Sequence, residues 1–266
     1  MSGFTTTGSS VVNDIEALPH ATLFWRSLTQ WMGGLGIIVL LLAILPGLGI
    51  EGRDLFVAEV PGPTHDKFTA TFTSTARRMW YLYISLTAAE TLLLLLGNMD
   101  LFDAICHSFT TMATGGYSTK QDSLAYWNSS YIQYIVTIFM FIAGTNFGLL
   151  YISLHGKIRK LFRDEEFKLY LFIILISSAI IASVLYFKGY DDLELSIREA
   201  LFQVVSIITT TGFATADYLL WPPLLGVIIF VLLFIGACAG STSGGLKCIR
   251  LNLLFKNSFI EMKRII

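Results

Sequence analysis

Five runs of about twenty mostly apolar residues constrain this chain more than any other feature: Leu23–Leu45, Met79–Leu96, Tyr131–Leu154, Phe167–Phe187 and Pro222–Ala239. A helix of that length crosses the hydrocarbon core of a bilayer, and lipid admits only structures that satisfy their own backbone. Composition agrees, because 54% of the 266 residues are hydrophobic and 14% are charged, about half the charge of a soluble domain. The mean hydropathy is +0.66. We therefore expect an all-α integral membrane protein. A net charge of −1 excludes an electrostatic nucleic-acid binder. Cys106, Cys238 and Cys248 are too few and too scattered for a disulfide framework or a four-ligand zinc site. His20, His65, His107 and His155 show no metal spacing, so no cofactor is expected. Met1–Pro19 lacks the basic and apolar stretches of a signal peptide, and none is expected there.

The loops fix an orientation. Arg53, Lys67, Arg77 and Arg78 fall in one; Lys157, Arg159, Lys160, Arg163 and Lys168 in another; Lys247, Arg250, Lys256, Lys263 and Arg264 at the end. These fourteen basic residues share one side of the membrane, against Arg26, Lys120, Lys188 and Arg198 on the other, beside ten acids such as Asp100, Asp191 and Asp217. The positive-inside rule makes the first side cytoplasmic.

Two outer loops resemble each other. LFDAICHSFTTMATGGYST (Leu101–Thr119) follows the second run, and REALFQVVSIITTTGFATAD (Arg198–Asp217) follows the fourth. Each begins near an acid, Asp103 or Glu199, continues with about ten to twelve apolar residues and ends in a Thr/Gly cluster. Such a stretch is too short to cross and too apolar for a solvated loop, so it reads as a re-entrant half-helix. Setting Gly116 on Gly212 also pairs Ala104 with Ala200, Thr114 with Thr210 and Thr119 with Thr215. The opening MSGFTTTGSS aligns as a third copy through Gly8. Threonine and glycine are common packing residues in membrane helices, but three such clusters at one depth are another matter. Non-helical backbone is tolerated in a membrane where it lines a cavity. Arranged around an axis, these carbonyls would replace the water shell of a monovalent cation. The half-helices would aim their negative carboxyl ends at the same point.

SGFTTTGSS, LFWRSLTQWMGGLGIIVL, AEVPGP, LFDAICHSFTTMATGGYST, ITTTGFAT and FIGACAGSTSGGLKCIRLNLLFK together resemble the membrane subunit of the Trk/Ktr/HKT superfamily of potassium uptake proteins, most closely its bacterial Trk branch. The resemblance implies helix–pore loop–helix repeats around a central pore, about three of four being present. Residues 1–50 would end the first repeat, 51–78 form a cytoplasmic loop, 79–155 the second repeat and 156–266 the third. The first outer helix and the fourth repeat are missing from this pattern, so a fragment is expected. The resemblance also implies a potassium filter of Thr6, Thr7 and Gly8; Thr114, Gly115 and Gly116; and Thr210, Thr211 and Gly212. Glycine at Gly8, Gly116 and Gly212 goes with potassium in that family, where a serine goes with sodium. It further implies an intramembrane gating loop over Gly236–Gly245, comprising Gly236, Gly240, Ser241, Thr242, Ser243, Gly244 and Gly245, with Lys247 beyond it. Four glycines and three hydroxyls in those ten residues would break a helix on residue grounds alone.

The remaining expectations follow from these. Family members form a homodimer and bind a cytosolic nucleotide-binding regulatory subunit; the basic faces Lys157–Lys168 and Lys256–Arg264 suit an acidic partner or anionic membrane lipid. No enzymatic role is expected, since Ser241 and Ser243 have no neighbouring base and no nucleophile elbow. The loop GSTSGGLK is not a phosphate-binding motif, because Leu246 separates Gly245 from Lys247. A structural or regulatory membrane subunit, or a sodium/potassium transporter, is the alternative function. Lys247 is read equally as a snorkelling residue or a charge under the pore, and Asn146 as pore-lining or as an interhelical hydrogen-bonder. Glu90 is read as a structural intramembrane acid, and Arg26 as an interfacial anchor.

Overall fold

The computed structural model describes residues 1–34, 36, 72–187 and 192–265. Among them the architecture is helical: α1 (His20–Gly34), α2 (Phe72–Leu96), α3 (Leu101–Met112), α4 (Ser130–Ala143), α5 (Phe147–Ile152), α6 (Ile158–Arg163), α7 (Glu165–Phe187), α8 (Leu193–Ile208), α9 (Pro223–Leu232) and α10 (Cys248–Ile265). By length and apolar composition α2, from Arg77, and α7 can cross a membrane. Their exposed faces are apolar, with Phe172, Leu175, Ile176 and Ile180 outward on α7, as lipid requires.

The two half-helices form as expected. Asp100 caps α3, its carboxylate accepting from the Phe102 N–H at 3.1 Å, and Asp192 caps α8 by accepting from Glu194 at 3.0 Å. α8 starts at Leu193, ahead of the acid Glu199 at which the sequence suggested a start. Each half-helix lies against the spanning helix before it, α3 on α2 and α8 on α7. Each also takes a helix from the preceding repeat on its other side, α1 on α3 and α4 on α8. One core joins Ile132, Val136 and Met140 of α4 to Tyr170 and Ile174 of α7 and to Phe202 and Val205 of α8. The repeats are thus packed side by side in chain order.

The third apolar run differs from the expected uninterrupted span, and the fifth breaks ahead of the expected glycine-rich loop. The third breaks at Gly144–Asn146, and its halves, Ser130–Ala143 and Phe147–Arg163, meet at 104°. The fifth is helical only over Pro223–Leu232. There the chain leaves the helix, and Gly236 donates to the carbonyl of Leu246 at 2.8 Å, making a neck that closes the following ten residues into a loop. Each break is the other's remedy. The loop's Cys238 N–H donates to the Gly144 carbonyl at 3.0 Å, its Gly240 carbonyl accepts from Phe147 at 3.0 Å, and Thr242 N–H reaches Ala143 O at 3.4 Å. Backbone groups freed by one interrupted helix are satisfied by the other, which membrane burial demands. The later part of the first run and most of the 51–78 loop lie outside the described residues.

Candidate functional site

The half-helices end in one repeated geometry. α3 stops at the cap Ala113 and α8 at Thr209, and the next residue, Thr114 or Thr210, turns left-handed at φ 50° and 56°. Thr6 does the same at 51°. Two backbone bonds close each turn. Thr6, Thr114 and Thr210 donate to Gly3, Thr111 and Ile207 at 3.0, 2.9 and 2.9 Å. The following Thr7, Gly115 and Thr211 donate to Ser2, Thr110 and Ser206 at 3.1, 2.9 and 2.9 Å. This is a Schellman closure with threonine in the place usually taken by glycine. A β-branched residue there costs about 1–2 kcal/mol, and three such residues at matching positions mark a built feature.

Two residues past each threonine-bearing cap, Gly8, Gly116 and Gly212 are left-handed again, at 75°, 74° and 82°. Alternating hands along a short segment turns successive carbonyls the same way, and glycine permits it at the second position. The sequence named Thr6, Thr114 and Thr210 with the glycines, but nothing in it foretold their left-handed backbone, because threonine disfavours that conformation. The loops also touch in order. A Cβ on Gly8 would strike the Gly115 carbonyl, and one on Gly116 the Thr211 carbonyl, while one on Gly212 would meet nothing within 4 Å. Among the described residues the three loops therefore pack edge to edge, with a free side at the third.

Gln30 of α1, fully buried, holds the second loop from the first repeat. Its amide donates to Gly115 O at 2.7 Å and accepts from Tyr117 N–H at 3.1 Å. Polar side chains are common along α1, Arg26, Ser27 and Thr29 among them, so the sequence did not mark Gln30 out. Arg26, one turn earlier, lies 4.4 Å from the centre of the Tyr117 ring, so it stacks on the second loop rather than serving as a plain interfacial anchor.

The Gly236–Gly245 loop lies against these turns. Gly244 N–H donates to the Thr210 hydroxyl at 2.7 Å, and Thr242 Oγ1 donates to Met112 O, the end of α3, at 3.0 Å. Ser241 and Ser243 bond each other at 2.8 Å, within the loop rather than across a cavity. Lys247 is buried and its ammonium donates to the Ser243 carbonyl, so it folds back onto the loop rather than snorkelling. Asn146 takes the interhelical reading: Nδ2 donates to Ala239 O at 2.7 Å while Oδ1 caps α5 through Gly148 and Leu149. Glu166, which the sequence did not single out, accepts from Ala239 N–H at 2.6 Å and Ile249 N–H at 3.0 Å. Glu90 is wholly buried beside Thr111 of α3. No cluster of metal-ligating side chains occurs among the described residues.

Residues 1–265 match the family model "TrkH: Cation transport protein". The chain belongs to the TrkH family. It is 46% identical over 268 residues to the Trk system potassium uptake protein TrkH of Escherichia coli (strain K12), covering all of this chain and 56% of that relative. It is 40% identical to the Trk system potassium uptake protein TrkG of the same organism over 269 residues, again all of this chain and 55% of the relative. The crystal structure of the potassium transporter TrkH from Vibrio parahaemolyticus superposes with a TM-score of 0.84 at 39% identity, over 99% of this chain and 54% of that one. This TrkH-family chain thus spans just over half the length of the relatives it matches, and it is a membrane protein of pore-forming helix repeats.

Proposed function

We propose that this chain supplies three sides of a potassium-conducting pore used for potassium uptake across a bacterial inner membrane. One observation carries the reading: three loops share a left-handed threonine and glycine and lie edge to edge, the second and third behind half-helices whose carboxyl ends face them. Alternating backbone hands aim carbonyls at one axis, and the negative ends of α3 and α8 favour a cation there. Glycine at Gly8, Gly116 and Gly212 leaves the carbonyl ring free of side chains, which favours potassium over sodium. The free edge at Gly212 is where a fourth loop of the same kind would complete the ring. The chain's work is transport rather than catalysis, and Gly236–Gly245 is its gate.

The Trk relatives carry the word "system" in their names. In keeping with that, we assign this chain a homodimeric state and a cytosolic nucleotide-binding regulator that docks on the exposed basic segment around Arg159 and Lys160. The filter reading is tested with Gly212→Ser in the full-length protein expressed in potassium-starved cells. Sodium uptake relative to rubidium should rise, and an unchanged ratio would refute the filter assignment.

A further inference from the structure

One hydroxyl residue behind each loop holds both of its limbs. Ser2, Thr110 and Ser206 occupy the same place in the three copies, five residues before Thr7, Gly115 and Thr211. Their backbone carbonyls accept from those residues, fixing the entering limb. Their hydroxyls reach forward to the leaving limb: Ser2 Oγ donates to Ser9 O at 2.9 Å, Thr110 Oγ1 to Tyr117 O at 2.8 Å and Ser206 Oγ to Phe213 O at 2.7 Å. Each acceptor directly follows the left-handed glycine.

The ordinary behaviour of a hydroxyl in a helix is to bond backwards to the carbonyl four residues earlier. Ser108, Thr111 and Thr209 of the same half-helices do so, to Ala104, His107 and Val205. Thr110 also lies 3.2 Å from Cys106 O and 3.1 Å from His107 O, but its shortest contact is the forward one. Thr110 and Ser206 are fully buried, so water cannot replace the bond. The second copy reinforces the first, because Tyr117 Oη lies 3.1 Å from Ser2 Oγ and 3.0 Å from Ser9 O.

We propose that Ser2, Thr110 and Ser206 are positioning residues of the filter, which clamp each loop at both limbs and set where its ladder of inward carbonyls ends. This rests on the reading of the loops as a filter. A carbonyl held by a protein donor is withheld from the ion, as Ser9, Tyr117 and Phe213 are by these hydroxyls and Gly115 is by Gln30, so beyond the glycine the ladder closes. The same clamp over-determines the turn and so sustains the strained threonine.

The test uses the full-length protein and the ratio of rubidium to sodium flux, with purified yield scored alongside. Thr110→Val and Ser206→Ala remove the hydroxyl, and each should lower the ratio about three- to tenfold, the worth of one ordinary hydrogen bond. Ser2→Ala, at a less buried site, should act in the same direction. Thr110→Ser and Ser206→Thr keep the hydroxyl and should stay within about twofold of the parent, as should Ser108→Ala, whose bond runs backwards. An unchanged ratio in Thr110→Val and Ser206→Ala, with Gly212→Ser altering it, overturns the clamp and leaves the filter standing. Gly212→Ser without effect overturns both. If the hydroxyl-free variants fail to accumulate while the conservative ones do, the hydroxyls serve the fold and the positioning role is wrong.

Discussion

Glu166 offers a quantitative test of the gate. Its Oε1 accepts two backbone N–H groups, Ala239 on the loop at 2.6 Å and Ile249 at the start of α10 at 3.0 Å, from a side chain that is itself buried. Glu166→Ala leaves two N–H groups without a partner for as long as the loop stays in place. An unpaired buried donor costs about 1–3 kcal/mol, and of the two only Ala239 lies on the loop, so holding the loop becomes harder by about 2 kcal/mol, a factor of about 30 in the balance between held and released loop. Glu166→Gln keeps an oxygen in the same place but loses the charge, and charge-assisted bonds are about twice as strong as neutral ones. Its effect should be about half as large in free energy. α7 does not depend on either change, since Asp164 caps it by accepting from Phe167 N–H at 2.8 Å. In cells lacking the regulator, rubidium uptake through the full-length protein should rise in the order parent, Glu166→Gln, Glu166→Ala, with membrane insertion unchanged. Equal uptake in all three would refute the latch. Uptake lost in both, with normal insertion, would show that the loop is scaffold and not gate.

Asn146 separates two roles. Asn146→Asp keeps the oxygen that caps α5 and removes the donor to Ala239, so basal flux should rise with thermal stability retained; Asn146→Ala should also lose about 1 kcal/mol from the cap, read as a lower melting temperature. Equal stability of the two would refute the split. Gly116→Ala drives a Cβ into the Thr211 carbonyl at a residue with φ 74°, so flux and selectivity should both fall, whereas Gly226→Ala, with nothing within 4 Å, should change neither. Charge reversal at Arg159 and Lys160, both exposed, should weaken co-purification of the regulator without affecting insertion; full retention at moderate salt would remove that docking surface.

Local signals were readable and distant ones were not. The half-helices were legible because an apolar stretch too short to cross ends in a Thr/Gly cluster, and their order in space follows from order in the chain. Gly236–Gly245 was legible because its glycines and hydroxyls are adjacent in sequence. The break at Gly144–Asn146 was not, since AGTNFG is a short interruption of a long apolar run and the partners that make the break tolerable lie over ninety residues later. Glu166 escaped for a related reason. An acid at the cytoplasmic start of α7 reads as a solvated end, and only the return of the Ala239 and Ile249 segments buries it. The hydroxyls of Ser2, Thr110 and Ser206 share a register that the repeat alignment already contained, but their forward bonds depend on a turn that threonine itself disfavours.

On the proposed reading Thr210 is where filter and gate meet, and its bond to the loop would give the loop a direct hold on the ion path. The residue is left-handed at φ 56°, so its place is fixed by the turn behind it, and its hydroxyl accepts from Gly244 at 2.7 Å. The loop also donates through Thr242 to Met112 O, the last residue of α3. Its two contacts therefore span the bases of the second and third loops, the side toward which a potassium ion would leave. Releasing the loop breaks both contacts together and frees an uncharged hydroxyl and a helix-end carbonyl, each able to face a hydrated cation. Motion of the loop would thus exchange these two internal hydrogen bonds for ion or water contacts at the same atoms, which limits the cost at this end of the loop. The same loop is bonded to Ala143, Gly144 and Phe147, so it cannot leave without the break between α4 and α5 finding other partners. Water entering the opened cavity, or the two halves drawing into line, would supply them. On the proposed reading the gate would be a joint property of the second and third repeats, since the glycine-rich loop of the third is bonded to the break in the second.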